Sequence, residues 1–312
     1  MSEYLDTSLL TELEPVVAGE IDPHFASARD WYPHEYVPWS EGETFAGVLD
    51  GKAWEPTQER FGRAARTSLM VNLLTEDNLP SYHFEIATSF GRDGAWGTWV
   101  HRWTAEEGRH AQALRDYLTV TRALDPVALE DARMSHMQEG FSAIKPGMLH
   151  GLAYVSFQEL ATRVSHRNTG KATGDPIAEQ LLARIATDEN LHMIFYRNVM
   201  AAALDITPDA SMRAITDMVV NFAMPGHGIP GFQRKAFEIA VAGIYDLRQH
   251  LDEVVAPVLR AWRIYERDDF GPDGAAARDE LTAFLAQLET SAARFEERRP
   301  MLAARMFGDP AA

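Results

Sequence analysis

Trp103-Thr-Ala-Glu-Glu-Gly-Arg-His110 decides how this chain reads, because it sets a glutamate and a histidine three residues apart inside an aromatic stripe. Residues three apart share a helix face, so Glu107 and His110 can offer a carboxylate oxygen and an imidazole nitrogen to one ion. The pattern occurs once more, in Asp188-Glu-Asn-Leu-His192, and at no other glutamate. With so many Glu and His in the chain, roughly one such pair arises by chance, so the motif needs its context. That context is apolar. Trp96, Trp99, Trp103, Leu114 and Tyr117 line up with the first pair, and Leu182, Ile185, Tyr196 and Val199 with the second. An ionised Glu in such a stripe is costly unless it is paired or bound to metal.

Outward from these pairs, two more stretches each hold one Glu among apolar residues: Glu76 after Leu73 and Leu74, and Glu159 in Ser156-Phe-Gln-Glu-Leu-Ala-Thr162. Each precedes its Glu-x-x-His by about thirty residues, the length of a helical hairpin. One Glu from each of two helices and a Glu-x-x-His from each of two others is the ligand set of di-iron and di-manganese carboxylate bundles. Four carboxylates and two imidazoles suit two ions of hard to intermediate character and leave positions open for oxygen. The candidate metal ligands are therefore Glu76, Glu107, His110, Glu159, Glu189 and His192. Pro80 has no amide to give the carbonyl of Glu76, so the backbone should loosen there. Glu106 and Asp188, each directly before a Glu-x-x-His, are candidates to orient metal-bound histidines or are surface charges. Trp103 is a candidate neighbour of the ligands or an electron carrier. His24, His34, His83, His101, His136, His150, His227 and His250 show no paired spacing and receive no role.

Apolar stripes at helical spacing run through the chain and alternating β-branched runs are nearly missing, so the fold is all-α. The pattern predicts core helices over about 60–90, 95–124, 148–168 and 177–204, with two or three more before 266. Asp93 and Asp175-Pro176 read as helix starts, and Pro225-Gly-His-Gly-Ile-Pro-Gly231 as a breaker. One helical domain over 1–312 is expected: an N-terminal arm over 1–58 with a short amphipathic stretch at Leu9, Leu13 and Val17, a bundle core over 59–266, and a peripheral C-terminal helix over 271–312. The chain has no cysteine, which excludes disulfides, thiolate metal sites and a cysteine nucleophile. Neither a leader-like start nor a membrane-length apolar run is present, so a cytoplasmic location and no membrane partner are expected. A net charge of −17 disfavours nucleic acid.

At Thr75-Glu-Asp-Asn-Leu-Pro-Ser-Tyr82, Trp103 to His110, Ser156 to Thr162, Ser165-His-Arg-Asn168 and Asp188 to His192 the chain resembles the soluble acyl-acyl-carrier-protein desaturases of plant plastids and actinobacteria. The resemblance spans about 31–266. It implies a ferritin-like four-helix bundle core with additional helices, two Fe ions (Fe2+/Fe3+), and insertion of a double bond, with dioxygen, into an acyl chain carried on acyl carrier protein. It further implies that Glu107 and Glu189 bridge the ions, Glu76 and His110 completing one site and Glu159 and His192 the other. Thr162 would be catalytic, beside the oxygen-binding face, and Trp31, Asp188 and His110 would carry electrons inward from a ferredoxin-type donor. A homodimer is expected. Gly108, Leu160 and Asn190-Leu191 depart from the plant pattern without removing a ligand. Two rivals share the ligands: a di-iron hydroxylase or N-oxygenase, and a ferritin-like iron-handling protein. Docking of an acidic carrier on so acidic a chain requires a local basic patch, at Arg60, Arg63 and Arg66 or at Arg234-Lys235.

Overall fold

The computed structural model describes residues 2–141 and 147–308, so that Met1 and 309–312, the ends of the expected domain, lie outside the described residues. In chain order the helices are α1 (Ser2–Ser27), α2 (Arg63–Asp77), α3 (Leu79–Phe90), α4 (Gly94–Val120), α5 (Pro126–Glu139), α6 (Met148–Thr173), α7 (Pro176–Ile206), α8 (Pro208–Val220), α9 (Phe232–Val241), α10 (Leu247–Gln249), α11 (Ala256–Ala261) and α12 (Pro272–Phe307). A π-turn, His250–Val255, joins α10 to α11. No strand occurs among the described residues. The fold is helical throughout, as the periodicity indicates.

The core bundle consists of α2 with α3, then α4, α6 and α7. The helix expected over 60–90 is two helices, broken at Asn78, because Pro80 cannot donate to the carbonyl of Glu76. The buried Asn78 side chain accepts from Ser81 Oγ at 2.8 Å and steadies the break. Helices α6 and α7 form a tight hairpin. Gly170 permits it, since a Cβ there would lie 3.1 Å from Glu179 Cα. Asp175 caps α7 through Ile177 N and Ala178 N. Asp93 stands at the start of α4 but gives no cap bond, and Glu14 of α1 takes the Ala95 amide at 3.0 Å instead.

That contact reflects what α1 does. The short stretch expected at Leu9, Leu13 and Val17 is a 26-residue helix that also buries Ile21 and lies across α4 and α7. Full burial of one such side chain contributes about 1.5–3 kcal/mol. The segment after it carries Trp31, Val37 and Phe61 into the core. Helix α12 extends to Phe307 and rests on α8, where Thr216 Oγ1 bonds to the Ala277 carbonyl at 3.0 Å.

The apolar core falls into two bodies. Along α4, Trp96, Trp99 and Trp103 belong to one and Leu114 and Tyr117 to the other. Along α7, Leu182 and Ile185 lie on one side and Tyr196 and Val199 on the other. Between the two bodies runs a layer of buried charge.

Candidate metal centre

Each of the four core helices sends its acid into that layer. Glu76, Glu107, His110 and Glu189 place one donor atom apiece within 4.8 Å of one another, and so do Glu107, Glu159, Glu189 and His192. Glu107 and Glu189 belong to both groups, and all six residues are buried. The imidazoles meet the layer through Nδ1. His110 Nδ1 lies 3.3 Å from Glu107 Oε2 and 3.4 Å from Glu189 Oε1, and His192 Nδ1 lies 2.7 Å from Glu107 Oε1 and 3.5 Å from Glu159 Oε2.

The opposite ring nitrogens are engaged by a cross-over of acids. Asp188, which precedes Glu189, approaches His110 Nε2 at 3.5 Å, and Glu106, which precedes Glu107, approaches His192 Nε2 at 2.9 Å. Trp31 donates its indole N–H to Asp188 at 2.7 Å and stacks on His110, so Trp31, Asp188 and His110 are contiguous. Trp103 donates to Glu159 Oε1 at 3.0 Å. Thr162 Oγ1 lies 2.8 Å from Glu189 Oε2 and 2.9 Å from its own helix's Glu159 carbonyl.

Two further histidines, outside the Glu-x-x-His pairs, stand in the layer. His24 of α1 reaches Glu106 Oε2 at 2.9 Å, and nothing in the sequence links residues 82 apart. His166 bonds Glu76 Oε1 at 2.7 Å through Nε2. Its signal was local: it lies seven residues after Glu159 and four after Thr162, on one helix face.

Burial disfavours ionisation throughout this layer, and neighbours decide the outcome. Against burial, hydrogen bonds from His110 and His166 hold Glu76 down at about 2. Glu159 is pushed well above the carboxylate range by burial and by Glu107 and Glu189. Against burial again, carboxylates led by Glu107 at His110 and Glu106 at His192 hold both rings well above the ordinary imidazole value. Among the six candidate ligands, four buried atoms form no well-aligned hydrogen bond: Glu107 Oε1, Glu159 Oε2, His110 Nδ1 and His192 Nδ1. They are the atoms that converge. Donor atoms with oxygen and nitrogen character, gathered in two groups that share two carboxylates, fit a pair of cations.

A cavity opens directly on the acids. Glu76, Glu107, Glu159 and Glu189 line it together with the apolar and aromatic Ile86, Phe90, Trp103, Tyr154 and Val155. Its non-atom space is about 710 Å³, counting the part open to solvent. The Tyr154 and Tyr82 hydroxyls are turned away to the carbonyls of Ala223 and Pro225. A second cavity lies on the other side of Glu76, bounded by Asn72, Thr162, His166, Met224 and Ile239.

Of the expected docking residues, Arg60 is paired with Glu41, Arg63 with Glu238 and Arg66 with Glu59, so these three are not the free basic patch anticipated. Arg234 is exposed. No helix among the described residues is long and apolar enough to cross a membrane.

The chain is similar to known proteins over nearly its whole length. A family model described as fatty acid desaturase matches residues 6–307. DesA1 of Mycobacterium tuberculosis strain H37Rv, named as an acyl-acyl-carrier-protein desaturase, is 52% identical over 306 residues, covering 95% of this chain and 89% of the relative. Acyl-acyl-carrier-protein desaturase 7, chloroplastic, of Oryza sativa subsp. indica is 30% identical over 330 aligned positions, covering 97% and 79%. The X-ray structure named for the desaturase DesA2 of Mycobacterium tuberculosis H37Rv superposes with a TM-score of 0.72 at 32% identity, over 89% of this chain and 99% of that one.

Proposed function

We infer the activity from one premise: the chain belongs to the fatty acid desaturase family, in its acyl-carrier-protein branch. It is an oxidoreductase that inserts a double bond into an acyl chain, and the chain is delivered on acyl carrier protein. Glu76, Glu107, His110, Glu159, Glu189 and His192 would hold two iron ions, shared through Glu107 and Glu189. Bound there, the ions would supply oxidation by dioxygen, in which two hydrogens leave adjacent methylenes and two outside electrons and two protons complete the formation of two waters.

The residues of the chain do the rest. Ile86, Phe90, Tyr154 and Val155 offer the acyl chain an apolar surface beside the acids and exclude water from it. Trp103 fixes Glu159 through its N–H, and Asp188 and Glu106 fix the imidazole tautomers. Thr162 holds a proton beside Glu189, a hydroxyl placed to relay and not to ligate. Trp31 and Asp188 form the inward route for electrons from a ferredoxin-type donor.

The observation that carries this reading is the two groups of converging buried donors that share Glu107 and Glu189, with their four carboxylates lining a largely apolar cavity. Mass spectrometry after incubation with acylated carrier protein, a reductase system and air tests it. The product should be lighter by two hydrogens. An unchanged chain would overturn the reading, and an added oxygen atom would turn it toward the hydroxylase.

A further inference from the structure

The second half-site has a counterpart to Trp31. Asp188 is gripped between His110 and an indole N–H from the N-terminal segment. Glu106 is gripped in the same manner between His192 and His24, with both imidazole Nε2 atoms 2.9 Å from the one oxygen Oε2. His24 is buried, stacks over His192 with ring centroids 5.8 Å apart, and meets the edge of Trp99 at 4.9 Å. Its other nitrogen, Nδ1, is buried with no partner. A ring with a single bonding contact is held for that contact.

The three groups could instead be a third cation site. Arg102 Nε donates to Glu106 Oε1 at 2.7 Å and Arg109 stands 3.8 Å away, so this carboxylate is already neutralised. His192 would also have to ligate through both nitrogens. A hydrogen-bond chain is the consistent assignment: His24 Nε2–H and His192 Nε2–H both donate to Glu106, which leaves His192 Nδ1 as a lone pair aimed between Glu107 and Glu159.

We propose that His24 is the positioning residue of the Glu159–His192 half-site: it locks Glu106, and through Glu106 the tautomer and ring orientation of His192. The inference rests on the metal reading above. A hydrogen-bond partner of this kind is worth about 10–100-fold in metal affinity.

The test is anaerobic titration of the metal-free protein with ferrous iron. Wild type should bind two ions per chain. His24→Leu should bind one ion as wild type does and the other at least about tenfold more weakly, within that range. His24→Gln, whose amide can donate from nearly the same place, should restore affinity to within about threefold. In a His192→Ala background the His24→Leu change should make no further difference, whereas in a His110→Ala background it should still weaken binding. Tight binding of both ions by His24→Leu would overturn the proposal. Equal damage from Leu and Gln would do so too, by reducing His24 to packing. Should His24→Leu fail to fold, His24→Asn, too short to reach Glu106, takes its place with the same expected loss. Failure of wild type to bind any ferrous iron would instead bring down the metal reading itself, and this inference with it.

Discussion

Glu107 and Glu189 each belong to both groups of converging donors, which makes them unlike the other four ligands. Removing either acid takes a ligand from both ions, so Glu107→Ala or Glu189→Ala should leave well under one iron per chain by elemental analysis. Iron content equal to wild type in either variant would remove that residue from the bridge. Thr162 behaves differently because its hydroxyl bonds a ligand without being one. Thr162→Val should keep its iron and change turnover, or the yield of product per dioxygen consumed; wild-type kinetics would take Thr162 off the catalytic list. All six candidate ligands were legible in the sequence because their pattern is local, three residues within a pair and one hairpin between a pair and its lone Glu. Glu106 and Asp188 were legible as positions, but which ring each serves was not, since each crosses to the other helix pair. His24 was illegible, being tied to Glu106 by the packing of α1 alone.

At the scale of elements, local chemistry predicts breaks better than it predicts reach. Pro80 marks the α2–α3 break and Asp175-Pro176 the start of α7, each through its own backbone requirement. The length of α1 did not show in its short apolar stripe, because packing on α4 and α7 carries the helix through Pro15 and Pro23. The π-turn at His250–Val255 supplies a pH prediction. Burial lowers the His250 imidazole from 6.5 to about 4, and Nδ1 lies 2.9 Å from the Tyr245 hydroxyl. The unfolded chain therefore takes up this proton first. The contribution to stability is full above about pH 6.5, diminishes as pH falls, amounts to a loss of about 2 kcal/mol near pH 5, and levels off below the folded value. His250→Asn, whose amide oxygen can take the place of Nδ1 and accept from Tyr245, should lose less melting temperature than wild type between about pH 7 and pH 5. Parallel losses would show that His250 does not titrate as its burial requires.

The whole molecule carries a charge of −17, and an acidic carrier must approach it. The sign of that long-range problem was legible from composition, but the place where it is solved was not, because pairing of arginines with acids is a property of the folded surface. Arg60, Arg63 and Arg66 looked like a patch on one helix, but α2 begins only at Arg63, and Glu41, Glu238 and Glu59 take the three up. Arg234 and Lys235 remain, at the first turn of α9, with Lys235 Nζ donating to the Pro230 carbonyl at 3.0 Å. They stand beside Phe232 and Ala236, which line the cavity that reaches Glu76 and Thr162. If carrier docking runs through this pair, steering is electrostatic and screened by salt over about 8–10 Å. Arg234→Glu with Lys235→Glu should then raise the apparent KM for acylated carrier protein by about tenfold, which corresponds to about 1.4 kcal/mol, with kcat and iron content unchanged. Added salt should weaken the wild-type interaction and affect the double variant much less. A KM untouched by the reversal would move the docking face elsewhere, and equal turnover of acyl carrier protein, acyl coenzyme A and free acid would remove the requirement for a carrier altogether.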